Sequence, residues 1–192
     1  MSTPRIDAAP SARERIEGAA VELFREHGLR GVSADRVIAR ANVSKVTFYR
    51  HFPSKDDLIV AYLQHEWDDV RLVSEGVDPS AQTDQDGVGI LVSMFRAQIC
   101  QPGFRGCPFI NAAAELTERD HPARALIREY RTWLIDQFAT RLRAAGVSEP
   151  DRKARDILML RDGAMVAGYL EPDVDTVVGD LDASLRRVID AA

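Results

Sequence analysis

The sequence predicts an all-α protein that consists of a small N-terminal bundle of three helices and a larger helical C-terminal domain. Apolar residues recur at three- and four-residue spacing along most of the chain, which is the period of an amphipathic helix. Residues that favour helix caps precede these segments, and Gly or Pro stands between them. The alternation of branched and polar residues that marks strands does not occur. These observations favour helices throughout.

The first 53 residues predict an arm and three helices. Residues 1–10 contain two prolines and few apolar side chains, so we expect a disordered arm. A helix over residues 11–27 carries one apolar stripe and ends before a glycine that suits a C-cap; its members are Ile16, Ala19, Ala20, Leu23, Phe24 and Gly28. Ser33 and Ser44 can each cap a short helix, over residues 33–40 and 44–51. Residues 11–53 therefore form the predicted first domain.

The remaining residues, 54–192, form the predicted second domain. Pro53 and Ser54 separate it from the first, and a long helix follows from Lys55 to about residue 74. Residues 75–89 are rich in Gly, Asp, Ser and Gln and predict a loop. Five further helices are expected at about residues 88–100, 108–117, 122–145, 151–170 and 173–192.

Composition limits the class of protein. The chain has 192 residues, of which 45% are hydrophobic and 29% are charged, values typical of a globular protein with a real core. No apolar run approaches the roughly 20 residues that a membrane-spanning helix needs, and residues 1–10 carry no apolar signal core, so we expect a cytoplasmic protein. Cys100 and Cys107 are the two cysteines, and in a reducing compartment we expect free thiols.

The net charge of −5 is unevenly distributed. Residues 1–52 hold nine basic and six acidic side chains, a net charge of +3, whereas residues 53–192 hold sixteen basic and 24 acidic ones, a net charge of −8. A basic head on an acidic body is expected where one end of a protein meets phosphate. The N-terminal domain is therefore the candidate for binding nucleic acid.

Residues 33–52 have the pattern of a helix-turn-helix, in which the second helix enters the DNA major groove. Apolar side chains are expected to form its interior: Val37, Ile38, Val43, Val46, Phe48 and Phe52. The outward faces of the last helix then carry hydrogen-bonding and ring side chains, which bases and phosphates use: Ser44, Lys45, Thr47, Tyr49, Arg50 and His51.

The stretch from Ala12 to Leu58 resembles the N-terminal domain of the TetR family of transcriptional regulators. The resemblance includes a helix ending in His27-Gly28 and the string ANVSKVTFYRHFPSKDDL over residues 41–58. It covers about a quarter of the chain, and the combination of Thr-Phe-Tyr-x-His-Phe with a later Ser-Lys-x-x-Leu is specific. The family is all-α, so the resemblance agrees with the fold expected from the pattern.

The resemblance implies roles for eight residues in binding an operator: Ser33, Ser44, Lys45, Thr47, Tyr49, Arg50, His51 and Lys55. Lys45 and Thr47 would contact base edges, Tyr49 the groove, and His51 and Lys55 phosphates. Two positions depart from the family. Val46 stands where a glycine is usual and should change how closely the helix approaches the groove, and Asp35 disfavours phosphate but can accept from cytosine.

The resemblance also implies a homodimer on a palindromic double-stranded operator, with two recognition helices about 34 Å apart. Family members pair their last two helices, and four small residues of the eighth helix fit such pairing: Gly163, Ala164, Ala167 and Gly168. Residues 157–170 are apolar on nearly all faces except at Arg161 and Asp162, so we expect burial on both sides. A small ligand would release DNA by shifting the helix from Lys55, and repression is the family's commoner mode.

The expected ligand is a small apolar or amphipathic molecule, and neither a cofactor nor a metal is predicted. Aromatic or soft residues on the inner helices are candidate pocket walls, each of which can equally be plain core: Trp67, Phe95, Ile99, Phe109, Trp133, Met159, Met165 and Tyr169. The segment from Gly106 to Leu116 resembles one that borders the ligand cavity in one branch of the family.

Three alternatives are left open. Cys107 lies at a predicted helix N-terminus and could sense oxidants or electrophiles with Cys100 as resolving partner, although a buried structural cysteine is the simpler interpretation. An all-α enzyme is a second alternative, for which no catalytic constellation is visible. A protein-binding adaptor is the third, and it should show acidic or apolar anchors on the third helix instead of Lys, Thr, Tyr, Arg and His.

Overall fold

The computed structural model describes residues 9–75 and 87–191, and over these ranges the chain is helical without strands. The helices are α1 (Ala12–His27), α2 (Ala34–Ala41), α3 (Lys45–His51), α4 (Lys55–Glu75), α5 (Gly87–Ile99), α6 (Pro108–Glu115), α7 (Pro122–Ala144), α8 (Pro150–Leu170) and α9 (Val174–Asp190). The predicted all-α class is confirmed. Most of the predicted arm, residues 1–8, and most of the predicted loop, residues 76–86, lie outside the described residues.

The chain divides into two compact units, Met1–Gln64 and His65–Ala192. The division falls inside α4, whereas the sequence suggested a boundary before that helix. The first half of α4 belongs to the N-terminal unit because its apolar side chains are buried there; Leu58 and Leu63 are fully buried, and the Tyr62 ring lies 5.3 Å from the Phe24 ring.

The N-terminal unit is built from capped helices around a small apolar core. Ser11 and Glu14 form a reciprocal capping box at the start of α1, and Gly28 ends the helix with a positive φ of 74°. The turn between α2 and α3 places Asn42 in the left-handed region, with φ of 51°, a conformation that asparagine tolerates well. Ile16, Ala20 and Phe48 are completely buried between the three helices.

The C-terminal unit packs α7 against α8, α8 against α9, and α5 against both α8 and α9. Tyr130 of α7 lies at the centre of an aromatic cluster, with its ring stacked 3.7 Å from Phe109 and about 6 Å from Trp67 and Trp133. Elsewhere the buried Lys153 donates to the carbonyl oxygens of Ile189 and Ala191, which satisfies the C-terminal end of α9.

None of the helices in the described ranges is both long and apolar enough to span a bilayer.

Candidate nucleic-acid interface and effector cavity

Helix α3 is fixed to the N-terminal unit by two phenylalanines. Phe48 is fully buried, Phe52 is 2% exposed, and their rings lie 6.2 Å apart. The Arg13 guanidinium of α1 lies 5.0 Å from the Phe52 ring, a cation–π distance. A helix of only two turns cannot hold itself in water, so this buried side fixes the direction of the opposite face.

The opposite face of α3 is open to solvent. Lys45, Val46, Tyr49 and Arg50 are exposed, and Thr47 and His51 are half-buried. Lys45 and Tyr49, like Val46 and Arg50, are four residues apart, so the exposed side chains lie on one side of the helix. The outward positions predicted for Lys45, Tyr49 and Arg50 agree with this, whereas Thr47 and His51 are less accessible than expected. The face presents an ammonium, a guanidinium and a phenol together.

Val46 corrects the sequence-based interior. We expected it in the apolar core, but its side chain is 79% exposed on the open face of α3. Phe48 and Phe52 are buried on one side of α3, and Val46 lies on the opposite side of the helix. The open face therefore carries one branched apolar side chain among polar ones.

Lys45 has a partner on the preceding helix. Its Nζ lies 3.6 Å from the Oδ1 of Asp35, and both side chains are largely exposed. Such a pair is weak in water, but it offsets part of the positive charge at the start of α3. The sequence drew attention to Asp35 as a departure from the family without indicating this contact.

The two predicted capping serines do cap their helices. The Ser33 Oγ accepts from the backbone N–H of Arg36 at 3.3 Å, and the Ser44 Oγ accepts from that of Thr47 at 3.0 Å. The Ser44 and Thr47 hydroxyl oxygens also lie 2.9 Å apart. These bonds order the first turns of α2 and α3 in the free protein.

Lys55 begins α4, where Ser54 and Asp57 cap the helix reciprocally at 3.0 and 3.1 Å. Asp56 and Asp57 lie in the first turn and offset the positive end of the helix dipole. The expected help from that dipole in binding a phosphate is therefore reduced, and Lys55 would act chiefly through its own charge.

The C-terminal unit contains a cavity of about 720 Å³ between α6, α7 and α8. Its apolar walls include Phe109, Ile110, Ile127, Val166, Ala167 and Leu170, and its polar residues include Cys107, Tyr130, Arg131, Arg161 and Asp162. This volume is within the range of small-molecule pockets.

Of the eight predicted pocket residues, Phe109 lines this cavity. Phe95, Ile99 and Met165 are buried core residues, and Trp67 and Trp133 belong to the aromatic cluster around Tyr130. The expected inward position is wrong for Met159 and Tyr169, which are 65% and 50% exposed on α8. Apolar character alone did not reveal which face of α8 points inward.

Polar residues that the sequence did not assign to the pocket form a connected cluster at its wall. Arg161 donates to the Cys107 Sγ from two nitrogens at 3.4 Å, to the Tyr130 hydroxyl at 3.2 Å and to Asp162 at 3.0 Å. Arg131 donates to the other oxygen of Asp162 at 2.5 Å. The signal in the sequence was the charged pair Arg161-Asp162 inside an otherwise apolar helix.

Burial shapes the titration of this cluster. Desolvation raises the pKa of Tyr130 well above its ordinary value, so its phenol stays protonated near neutral pH. Burial opposes the positive charge of Arg161, but the hydrogen bond to Cys107 and the Asp162 carboxylate outweigh this effect and raise the pKa of its guanidinium. Arg161 is therefore a permanently charged cation with 4% of its side chain exposed.

The thiols of Cys100 and Cys107 occupy different environments. Cys107 precedes α6 as its N-cap residue, is 2% exposed and makes no side-chain capping bond. Cys100 follows α5 and is exposed, and both thiols are free.

Helix α8 is buried on one side in the single chain, so the expected burial on both sides would need a partner and stays a prediction. Met159, Gly163, Val166 and Leu170 are exposed at spacings of four, three and four residues and form one stripe, which we call the α8 face. Ala164 is buried, and a methyl group on Gly168 would overlap the side chain of Ile99 on α5. Ala164 and Gly168 thus serve packing within the chain, and Gly163 alone of the four predicted dimer residues lies on the α8 face.

The N-terminal unit contains a helix-turn-helix whose second helix, α3, is exposed and basic. A helical unit with a cavity follows it. Together these features define a helix-turn-helix DNA-binding regulator. Residues 16–62 match the family model described as bacterial regulatory proteins, tetR family. A TetR-family transcriptional regulator from Streptomyces coelicolor, SCO4454, is 35% identical, with 93% of this chain and 94% of that chain covered and a TM-score of 0.81. The HTH-type transcriptional regulator LmrA of Bacillus subtilis (strain 168) is 25% identical over 82% of this chain and 83% of its own. A putative regulator from Streptomyces avermitilis, sav143, is 27% identical with a TM-score of 0.78, over 94% of this chain and 99% of that one.

The chain belongs to the TetR family of transcriptional regulators. The predicted family is confirmed, and with it the helix-turn-helix DNA-binding class. Both the fold and the relatives are those of regulators, which favours this class over the alternatives of an enzyme or a protein-binding adaptor.

Proposed function

We propose that the chain represses transcription by binding a palindromic operator as a homodimer and that a small effector in the cavity of the C-terminal unit releases it. The open face of α3 is the observation that carries the DNA-binding part. Lys45, Tyr49 and Arg50 are exposed together there, while Ser44 orders the first turn. Donors arranged on a fixed helix suit base edges and phosphates of the major groove.

An electrophoretic shift with the DNA upstream of the chain's own gene tests this binding. We expect a complex that weakens as salt rises from 50 to 200 mM, since phosphate contacts release counterions. Lys45→Ala and Thr47→Ala should each remove the complex. Arg119→Ala is the matched control, because Arg119 is an exposed cation between α6 and α7 in the other unit. Equal loss in Arg119→Ala, or salt-insensitive binding, would contradict the role of α3.

The proposed dimer uses the α8 face. Met159 and Leu170 are 65% and 68% exposed, and Gly163 lets another helix approach closely between them. Apolar stripes of this kind are costly in water and are normally covered by a partner. A second copy fits this stripe, because family members usually dimerise. Sedimentation should give twice the chain mass of 21.3 kDa, and a mass equal to one chain would overturn the dimer.

The effector role rests on the cavity beside Tyr130 and on the buried cluster in its wall. Filling a cavity bounded by α6, α7 and α8 can bias the packing of α7. The Tyr130 ring of α7 lies 5.9 Å from the Trp67 ring of α4, the helix that an effector is expected to shift. Repression itself is tested with a reporter gene behind the upstream DNA. We expect higher expression of the reporter when the gene for this chain is deleted. Lower expression of the reporter after the deletion would identify an activator.

A second candidate function is thiol sensing, and the contact between Arg161 and the Cys107 Sγ favours it. A guanidinium stabilises a thiolate, and the cavity would give an electrophile access to the sulfur. Cys100 is exposed and Cys107 is buried, so addition to Cys107 needs less rearrangement than a disulfide between them. Treatment with N-ethylmaleimide should then weaken operator binding in the wild type but not in Cys107→Ser; unchanged operator affinity after complete labelling would exclude it.

A further inference from the structure

We propose that the effector is an amphipathic monoanion, whose carboxylate or similar group binds Arg161 and Arg131 while its apolar body lies along the cavity. The inference rests on the proposed function in that it assigns the chemical class of the effector. It starts from the charges at the cavity wall and not from the apolar walls, which fit many ligands.

Two guanidinium groups at the wall share one carboxylate. Arg131 and Arg161 donate to the two different oxygens of Asp162, which is 20% exposed. Tyr130 does not add a negative charge, because burial raises the pKa of its phenol. Within this cluster the two guanidinium groups therefore face a single carboxylate, that of Asp162. A buried guanidinium such as Arg161 is stabilised when a further anion joins it.

Two further acidic residues lie near this cluster. Glu171 lines the cavity but is exposed to solvent at its edge, so water screens its charge. The buried Glu66 acts on Tyr130 and offsets part of the positive charge, but it is not among the residues that line the cavity, where a ligand anion would bind.

The neutral hydrogen-bond acceptors of Arg161 leave room for a stronger one. Two of its contacts go to the Cys107 sulfur at 3.4 Å, and one goes to the neutral Tyr130 hydroxyl at 3.2 Å. A thiol sulfur is a weak acceptor, whereas a carboxylate accepts a planar pair of N–H groups from arginine in a bidentate arrangement. An incoming carboxylate would therefore improve the bonding of a guanidinium that is already fixed in place.

The remaining walls define the rest of the ligand. Ile110 and Ile127 line the cavity with aliphatic carbon, and Phe109 adds an aromatic wall. Val166 and Leu170, which also belong to the α8 face, border the cavity where it opens to solvent. A chain or ring of about ten carbons fits a pocket of this class, and its burial supplies affinity while the anion supplies selectivity. A molecule that is charged or polar along its whole length, such as a sugar, would place polar groups against these apolar walls.

The test compares three ligands that share one ten-carbon chain: decanoate, 1-decanol and decylamine. Each competes with 8-anilinonaphthalene-1-sulfonate, followed by fluorescence, on the intact protein at pH 7.5. We expect decanoate to bind about tenfold or more tightly than 1-decanol, since hydrogen bonds to charged groups are worth that much, and decylamine to bind weakest. Equal binding of all three, a preference for decylamine, or no binding of any to the folded protein would overturn the proposal.

Arg131→Gln is the informative variant, because Arg131 is 40% exposed and the substitution should leave the fold intact. We expect it to reduce the preference for decanoate several-fold with little change for 1-decanol. Arg187→Gln on α9 should change neither value. Arg161→Met is a stronger change, interpreted only if its circular dichroism matches the wild type. A preference that survives Arg131→Gln and Arg161→Met unchanged would contradict the site.

Two further measurements separate this inference from the proposed function and from thiol sensing. Decanoate that binds selectively but does not release DNA would leave the anion site standing and refute effector-driven release by this ligand. The Cys107→Ser protein should keep the preference for decanoate, because the sulfur is only a weak acceptor for Arg161. Loss of the preference in Cys107→Ser with an unchanged fold would contradict the anion site.

Discussion

At the scale of single residues, Lys45 works next to an acid. Its ammonium lies 3.6 Å from the carboxylate of Asp35. Any DNA that α3 approaches would therefore also come close to this negative charge. An acid near phosphates would repel them at every sequence alike, which would lower binding to operator and non-operator DNA together. The pair would therefore bear on DNA affinity more than on the stability of the fold, since exposed pairs contribute little to stability.

We expect Asp35→Asn to bind random-sequence duplex about three- to tenfold more tightly, with a salt dependence steeper by about one counterion because Lys45 is freed for phosphate. Fluorescence anisotropy from 50 to 200 mM KCl measures both. Asp175→Asn is the matched control, because Asp175 is an exposed acid paired with Arg96 in the other unit. An unchanged affinity in Asp35→Asn would show that the acid does not act on DNA.

Val46 is an exposed apolar side chain on the reading face, and thymine offers a methyl group in the major groove. We expect an operator obtained by selection from random duplexes to lose about fourfold affinity when its thymines are replaced by uracil, roughly 0.8 kcal/mol for one methyl contact. The Val46→Gly protein should bind both forms equally. Equal loss in Val46→Gly and in the wild type would place the methyl contact elsewhere.

Residue roles were predictable where they follow from the local chain. The caps at Ser33 and Ser44 depend on residues three positions away, and both were correct. Val46 was misplaced because a branched apolar residue looks like core, and a two-turn helix is too short for its periodicity to decide the face. The contact between Asp35 and Lys45 crosses a turn, so only the fold reveals it.

At the scale of elements, helix α8 depends on a glycine at its contact with α5. A methyl group at position 168 would overlap Ile99, whereas one at Gly179 in α9 would meet nothing within 4 Å. We expect Gly168→Ala to lower the free energy of unfolding by about 1 to 3 kcal/mol through overpacking. Gly179→Ala should raise it by up to about 1 kcal/mol, because alanine favours a helix.

Urea unfolding of both variants measures the difference. The combination with Ile99→Ala should recover part of the loss in Gly168→Ala, since the overlapping side chain is then gone. Equal stability of Gly168→Ala and Gly179→Ala would refute the close approach of α5 and α8.

The helices themselves were predictable, because periodicity and caps are local, and their ends agree with the sequence within a few residues. The orientation of α8 was not. Its segment is apolar all round, so the pattern could not show that Ala164 and Gly168 face the chain's own core while Met159 and Leu170 face outward. The polar cluster at the cavity was missed for a related reason, since Tyr130, Arg131 and Arg161 come together only when α7 packs on α8.

At the scale of the whole molecule, a second copy on the α8 face would give the protein two reading helices. We expect Met159→Glu, which buries a charge in that interface, to shift the mass from two chains to one in light scattering at micromolar concentration. Leu72→Glu is the matched control, because Leu72 is 70% exposed on α4 and lies outside the α8 face. A Met159→Glu protein that remains a dimer would place the interface elsewhere.

The spacing of the two half-sites tests most directly whether the chain reads DNA as a dimer through α3. The measurement is the affinity for a selected operator and for the same operator with five base pairs inserted at its centre. Two recognition helices held about one turn of DNA apart cannot reach half-sites on opposite faces, so we expect affinity to fall about 100-fold or more, to the level of a single half-site. Equal affinity for both operators, or wild-type affinity in Lys45→Ala, would contradict this account.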